Sequence, residues 1–273
     1  MTARPVLGAV AFALRDASRP LLVLGPSLGT SVAALWQDVV GALGGDVDLV
    51  GWDLPGHGAS PRVVSMDLVG LDIADLAHAV LGVVERAQAE RGDVGAPFWY
   101  AGVSVGGAVG LRLLLDTPER LRGAALICTA ATFGEPGSWL ERADLVEAAG
   151  TPTQVVGSTQ RWFGPGFVER EPAVVLRLLA SLQTADRFGY AAVCRALARY
   201  DVSDRLTEID RPVLAIAGAH DVSAPPERLR EIAAAVAGSR LEVLDDVAHL
   251  APAENPARVA ALVRELVAGR VAA

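Results

Sequence analysis

Three residue types that together support nucleophilic catalysis occur at Ser104, Asp221 and His249. Ser104 is the centre of Gly-Val-Ser-Val-Gly at 102–106, a G-x-S-x-G motif that follows an apolar run and precedes a helical pattern. A serine hydroxyl is a weak nucleophile until a base removes its proton, and that base needs an acid to orient it. His249 and Asp221 provide such a base and acid, so the sequence predicts a catalytic serine.

Each member of this trio stands just past the carboxyl end of its own predicted strand. These strands are Phe98–Gly102 for the serine, Val213–Ala217 for the aspartate and Leu241–Leu244 for the histidine. In an open α/β sheet, the carboxyl ends of the strands form the edge at which ligands bind. We therefore expect the three side chains to converge there, in the chain order serine, aspartate, histidine.

Acyl transfer also needs amides that stabilise a developing oxyanion. The amide of Val105, the residue after the nucleophile, lies at the predicted start of a helix, where free N–H groups favour an anion. A second amide is expected from the loop Gly25–Thr30, which follows an early strand. Leu28 is the predicted donor because Pro26 has no N–H, and Ser27 is the alternative.

Other assignments of the acid and base remain open at this point. Asp221 could serve only as a helix cap, with Asp245 or Asp246 as the acid. His249 could be a structural histidine, with His220 as the base, although adjacency makes it difficult for His220 to face Asp221. The serine itself could be a turn residue between glycines.

The remaining histidines and the cysteines favour structural roles. His57 is predicted to anchor a turn, and His78 lies inside a long helical pattern. With only four histidines and no HExxH motif, a catalytic zinc has few ligands, so we expect neither metal nor cofactor. Cys128 and Cys194 are isolated in apolar stretches, which is typical of a reducing compartment.

Composition excludes several other classes of function. The chain has 273 residues and a net charge of −8, and it has no basic run, which argues against nucleic-acid binding. All 24 positive residues are arginine, so Lys Schiff-base and Ser-Lys chemistry are excluded. No apolar run reaches the roughly 18 residues of a membrane span, and Met1–Leu7 lacks signal-peptide features, so we expect a soluble cytoplasmic protein.

Short apolar runs alternate with helical patterns, which predicts an α/β fold with a mostly parallel sheet covered on both faces. A run at Ala9–Leu14 predicts an antiparallel edge strand. The strands expected to be buried are Leu21–Leu24, Val47–Trp52, Phe98–Gly102, Leu121–Thr129, Val213–Ala217 and Leu241–Leu244.

Helices are predicted between these strands, notably over Asp67–Ala89, from near Gly106 through Leu115, and from Asn255-Pro256 with proline in its first turn. The alternation stops between Phe133 and about Arg205, a stretch too long for an ordinary crossover. We interpret 133–205 as a helical cap inserted into an α/β core formed by 1–132 and 206–273.

These features resemble the α/β-hydrolase superfamily over nearly the whole chain. The resemblance rests on Gly56-His57-Gly58, the turn at Ser104 and the positions of Asp221 and His249. A finer resemblance is to the 3-oxoadipate enol-lactonases, and its segments are Ser27-Leu28-Gly29-Thr30-Ser31, Cys128-Thr129-Ala130-Ala131 and Arg161-Trp162-Phe163-Gly164-Pro165-Gly166-Phe167. The chain departs from the usual pattern at Val105, where Met is commoner, and at Gly25-Pro26.

The resemblance implies a cofactor-free serine hydrolase that opens a small-molecule lactone carrying a carboxylate. Such a substrate implies a cationic fork in the pocket, for which Arg161 and Arg142 are the candidates, with Trp139 and Trp162 as apolar walls. Surface arginines and core tryptophans are the alternative assignment. Another carboxylic ester hydrolase, a cofactor-free perhydrolase or a ligand-binding module are the competing functions.

Overall fold

A seven-stranded sheet forms the centre of the described residues, 5–63 and 68–270, of the computed structural model. Its strands are β1 (Ala9–Ala13), β2 (Leu21–Gly25), β3 (Asp48–Trp52), β4 (Phe98–Val103), β5 (Leu121–Ile127), β6 (Val213–Gly218) and β7 (Arg240–Leu244). Their spatial order is β1-β3-β2-β4-β5-β6-β7; β1 is antiparallel to β3, and the other pairs are parallel. The predicted α/β class and antiparallel edge strand are confirmed.

The prediction that every parallel strand is covered on both faces is wrong for β7. Strands β2 and β6 are fully buried, whereas most of β7 is half-buried because it is the last strand of the sheet. Glu242 interrupts its apolar run and pairs with Arg240 and Arg258. An edge strand leaves one side unpaired, so a charged pair there faces water at little cost.

The helices are α1 (Val32–Leu43), α2 (Ile73–Arg91), α3 (Val105–Asp116), α4 (Pro136–Ala149), α5 (Val155–Trp162), α6 (Phe167–Arg170), α7 (Pro172–Thr184), α8 (Arg187–Leu197), α9 (Pro226–Ala235), α10 (Ala251–Glu254) and α11 (Pro256–Val267). Short 3₁₀ turns lie at Gly44–Asp46, Pro118–Arg120, Thr151–Gln154 and Ser203–Glu208. No helix of the described ranges is both long and apolar enough to cross a membrane.

The predicted helix Asp67–Ala89 begins later than expected; Asp67 itself lies outside the described residues. It begins at Ile73 because Asp72 caps it: the Asp72 carboxylate accepts from the Asp75 amide at 2.8 Å, and Asp75 accepts from the Asp72 amide at 3.1 Å. The final helix begins as predicted, with the Asn255 side chain capping α11.

Between β5 and β6, residues 133–205 form helices α4 to α8 and no strand. The two ends of this segment meet, since Thr132 and Asp201 form an antiparallel bridge and Val202 N–H donates to Ala131 O at 3.0 Å. The segment therefore leaves and re-enters the sheet layer at one place. Its boundaries as a separate cap unit stay a prediction.

Candidate active site

The sheet register places the loops of the predicted site side by side. Gly25, at the end of β2, pairs with Gly102 of β4, so the loop carrying Leu28 lies next to the turn carrying Ser104. Gly218 of β6 pairs with Leu244 of β7, which brings the loops after these two strands together. All four loops thus emerge at the carboxyl edge of the sheet.

Ser104 occupies a strained turn between β4 and α3. Its φ of 55° and ψ of −117° lie in a region that residues with a side chain rarely adopt. Hydrogen bonds hold the turn on both sides: Ser104 N–H donates to Ile127 O at 2.9 Å, and Thr129 Oγ1 donates to Ser104 O at 2.7 Å. This geometry places the serine at the N-terminus of α3, as a nucleophile elbow requires.

The two outer glycines of the motif are required by close backbone approach. A Cβ at Gly102 would lie 2.3 Å from the carbonyl oxygen of Gly106, and one at Gly106 would lie 2.5 Å from Pro26 O. Gly106 N–H also donates to Pro26 O at 3.1 Å, which joins the elbow to the loop after β2. Only glycine allows these segments to pack together.

His249 and Asp221 are hydrogen-bonded to each other. Nδ1 of His249 lies 2.7 Å from Oδ2 of Asp221, and both residues are buried. The other oxygen, Oδ1, accepts from the amides of Ser223 and Ala224 at 2.8 and 3.0 Å. Asp221 is therefore oriented by its own loop, and the candidate acids Asp245 and Asp246 are exposed instead.

Ser104 and His249 line the same cavity. Within the described ranges no hydrogen bond joins Ser104 Oγ to the imidazole of His249, so proton transfer requires these two side chains to approach more closely. The alternative base, His220, is exposed and lines a different groove. His249 is thus the imidazole that shares a cavity with the serine.

The amides predicted for the oxyanion differ in their availability. Ser27 N–H already donates to Thr30 Oγ1 at 3.1 Å, whereas no acceptor is found for the Leu28 amide among residues 5–63 and 68–270. Val105 is the first residue of α3, so its N–H has no partner within the helix. This arrangement favours Leu28 over Ser27 as the second donor.

His57 contributes to the position of the Leu28 loop. Its Nδ1 bonds to Pro55 O at 2.9 Å, and its Nε2 accepts from Gly29 N–H at 3.3 Å. Burial lowers the pKa of His57 to about 4, so the ring is neutral and Nε2 can accept. The ring also stacks on Tyr190 at 6.1 Å between centroids. His57 thus also holds the loop that carries Leu28.

The four predicted substrate-binding residues line the cavity that contains Ser104 and His249. Its volume is about 280 Å³, which suits a small molecule. Trp162 is buried and Trp139 half-buried; the Trp139 indole N–H donates to Phe133 O at 2.7 Å. Arg142 and Arg161 are half-buried on the same cavity wall.

The two arginines have no acidic partner in the described part of the chain. The Arg142 guanidinium stacks on the Trp139 ring at 4.6 Å, and Tyr190 lies within hydrogen-bond reach of it. Burial and the positive charge of Arg142 lower the pKa of Arg161. Glu135 is the acidic residue of the lining, and it is exposed. The cavity therefore presents two neighbouring positive charges in a chain of net charge −8.

Sequence reasoning missed two polar residues of this region. Tyr190, on α8, lines the cavity, and no local pattern signals it because its place depends on helix packing. Glu254 binds the backbone beside His249, and its signal is an acid five residues after the histidine.

Both cysteines are buried, and burial raises the pKa of each thiol. No group of three potential metal ligands is found in the described ranges.

Comparison with known proteins gives consistent results. A model of the alpha/beta hydrolase family matches residues 21–262. A 3-oxoadipate enol-lactonase of Acinetobacter baylyi is 35% identical, with 88% of this chain and 86% of that protein covered. The crystal structure of the enol-lactonase from Burkholderia xenovorans LB400 superposes with a TM-score of 0.86 at 30% identity, covering 96% of each chain. A pimeloyl-[acyl-carrier protein] methyl ester esterase of Neisseria meningitidis is 26% identical, covering 80% of this chain and 81% of that protein.

Proposed function

Because the chain belongs to the alpha/beta hydrolase family, we propose that it hydrolyses 3-oxoadipate enol-lactone to 3-oxoadipate. The observation that carries this proposal is the pair Arg142 and Arg161, which line the cavity of Ser104 and His249 and have no acidic partner among residues 5–63 and 68–270. A neutral ester gives two desolvated cations no counter-charge, whereas a lactone with its own carboxylate does. The similarity to two enol-lactonases supports the same substrate.

Acylation begins with Ser104. Its Oγ attacks the lactone carbonyl carbon while Nε2 of His249 takes the hydroxyl proton, and Asp221 at Nδ1 stabilises the imidazolium that forms. The carbonyl oxygen becomes an oxyanion that accepts hydrogen bonds from the amides of Val105 and Leu28. The two proposed donors belong to the elbow and to the loop that is bonded to it through Gly106 N–H and Pro26 O.

Ring opening follows when the oxyanion collapses. The ring C–O bond breaks, the leaving enolate oxygen receives the proton from His249, and the resulting enol remains part of the acyl chain. Its tautomerisation to a ketone makes ring opening effectively irreversible. Water deprotonated by His249 then attacks the ester, and cleavage of the bond to Ser104 Oγ returns the proton to the serine and releases 3-oxoadipate.

Substrate orientation comes from the two arginines that line the cavity. The substrate carboxylate binds between Arg142 and Arg161, where charge-assisted hydrogen bonds are strong because the site is partly desolvated. Trp139 and Trp162 contact the apolar part of the substrate. Holding the carboxylate at one end fixes the distance of the carbonyl from Ser104, which is how remote binding contributes to the rate.

A second candidate function is hydrolysis of a simple carboxylic ester, which the similarity to the methyl ester esterase favours. Parallel kinetics on the enol-lactone and on p-nitrophenyl acetate separate the two. We expect kcat/KM for the lactone to be higher by roughly a hundredfold, corresponding to about 3 kcal/mol from the arginine contacts. Equal or better turnover of p-nitrophenyl acetate contradicts the lactone assignment.

Trapping of the serine separates an enzyme from a ligand-binding module on the same scaffold. A phosphonate should form a covalent adduct at Ser104 in the folded wild-type protein and none in Ser104→Ala. A folded wild-type protein that forms no adduct favours the binding module.

A further inference from the structure

The carboxylate of Glu254 binds the backbone on both sides of His249, the proposed base. Its Oε1 accepts from the amides of Ala248 and Leu250, at 2.9 and 3.3 Å, and these two residues flank His249. Its Oε2 accepts from Gly164 N–H at 2.6 Å. Glu254, the last residue of α10, therefore binds both the loop that carries His249 and the segment 133–205, which contains Gly164.

A second acceptor reinforces this arrangement. The carbonyl oxygen of Trp162 accepts from the amides of His249 and Leu250, at 3.2 and 3.3 Å. The three consecutive amides at 248–250 are thus all held. One acceptor is the carbonyl of Trp162, and the other is the Glu254 carboxylate, which also binds the amide of Gly164 in the turn at 162–164. The same turn follows Arg161, whose guanidinium lines the substrate cavity.

Among residues 5–63 and 68–270, the Glu254 carboxylate has no arginine partner. Burial raises the pKa of Glu254 to about 7, an effect that outweighs the three amide hydrogen bonds. An apolar side chain would pack there but would leave the amides of Ala248 and Gly164 without acceptors, because the Leu250 amide can still donate to Trp162 O.

We propose that Glu254 is a positioning residue that fixes the backbone on either side of His249 and joins it to the turn at 162–164. This turn follows Arg161, one of the two arginines proposed to bind the substrate carboxylate. The proposal rests on the proposed role of His249 as the base. Glu254 does not touch substrate; it acts by holding the backbone on either side of the imidazole. The positions of the turn at 162–164 and of His249 are therefore linked through the Glu254 carboxylate.

The test compares Glu254→Gln and Glu254→Ala with wild type in hydrolysis of p-nitrophenyl acetate and in labelling of Ser104 by a phosphonate. Both readouts need the base but not the lactone assignment. We expect kcat to fall about ten- to a hundredfold with KM within about twofold, because a misplaced base costs rate and not binding. Labelling of Ser104 should slow by the same factor.

The matched control is Glu231→Gln, which changes an exposed glutamate of α9. Proton NMR adds a local readout, since the His249 Nδ1–H resonance should shift in Glu254→Gln while the spectrum otherwise remains that of a folded protein. Unchanged kcat in a folded Glu254→Gln, or a loss confined to KM, overturns the proposal. If Glu254→Ala does not fold, Glu254→Gln still decides. If the wild type hydrolyses p-nitrophenyl acetate but not the enol-lactone, the proposed function is contradicted, while the comparison of the Glu254 variants stays valid.

Discussion

His249 Nδ1 lies 2.7 Å from Asp221 Oδ2, and the second oxygen of Asp221 is bound to two backbone amides of its own loop. Because a carboxylate only accepts, this bond favours, for the neutral imidazole, the tautomer with its proton on Nδ1 and with Nε2 as the acceptor. The tautomer suited to accept the proton of Ser104 is thus set by a residue that is itself held by the backbone. The acid would keep its place if the histidine moved.

Replacing Asp221 by Asn should abolish most of the activity while preserving the fold. The amide oxygen can still accept from Ser223 and Ala224, but its NH₂ group favours the wrong tautomer of His249. We expect kcat to fall by about 10⁴ with KM little changed, measured by steady-state hydrolysis. Asp245→Asn, at an exposed position, is the control and should retain wild-type kcat. Activity of Asp221→Asn near that of wild type would exclude Asp221 as the acid.

Replacing Arg161 by Met should weaken binding of a substrate that carries a carboxylate. The loss of a charge-assisted contact of about 1.5–3 kcal/mol predicts a rise in KM of roughly ten- to a hundredfold for the enol-lactone. Hydrolysis of neutral p-nitrophenyl acetate should change little, and Arg142→Met should behave alike. Arg230→Met, on the exposed face of α9, is the control. Equal effects on the charged and neutral substrates would show that the arginine only maintains packing.

Replacing Gly106 by Ala should destabilise the elbow. The new Cβ would lie 2.5 Å from Pro26 O, so the loop after β2 must shift. We expect a loss of about 1–3 kcal/mol in the free energy of unfolding, with reduced kcat because the Leu28 amide moves with that loop. Denaturant unfolding and kinetics measure the two effects. Gly137→Ala in α4, where nothing lies within 4 Å, is the control and should be neutral or stabilising.

His57 should make the protein less stable as the pH falls. Its pKa is about 4 when folded and about 6.5 when unfolded. The unfolded state therefore binds the proton first, so stability present above pH 6.5 is lost as the pH falls toward 4, by roughly 3 kcal/mol. His57→Gln should lack this part of the pH dependence in urea unfolding at pH 7 and pH 4. His220→Gln, which removes an exposed imidazole, should keep the wild-type dependence; a matching dependence in His57→Gln would refute the assignment.

Local sequence patterns are sufficient to predict where the strands lie and in which order the proposed site residues follow them. Apolar runs with turn residues at their ends predicted β2 to β6 within one or two residues, because these strands are covered on both faces. The run Leu241–Leu244 likewise predicts β7 within one residue, but its expected burial on both faces is wrong, since a run of four residues does not reveal which strand lies at the edge. The helical pattern predicts a start for α2 at Asp67, whereas the reciprocal cap of Asp72 and Asp75 starts the helix at Ile73.

The sequence predicts the proposed nucleophile, acid and base because each stands just past a strand, and parallel strands bring their carboxyl ends together whatever the intervening chain. Which of several acids meets His249 depends on distances of a few ångströms between loops, so only the tertiary structure distinguished Asp221 from Asp245 and Asp246. The same holds for Tyr190 and Glu254, which are brought to the site by helices whose packing no short motif encodes. A strand fixes the position of the residue that follows it, whereas a helix face is fixed only by what it packs against.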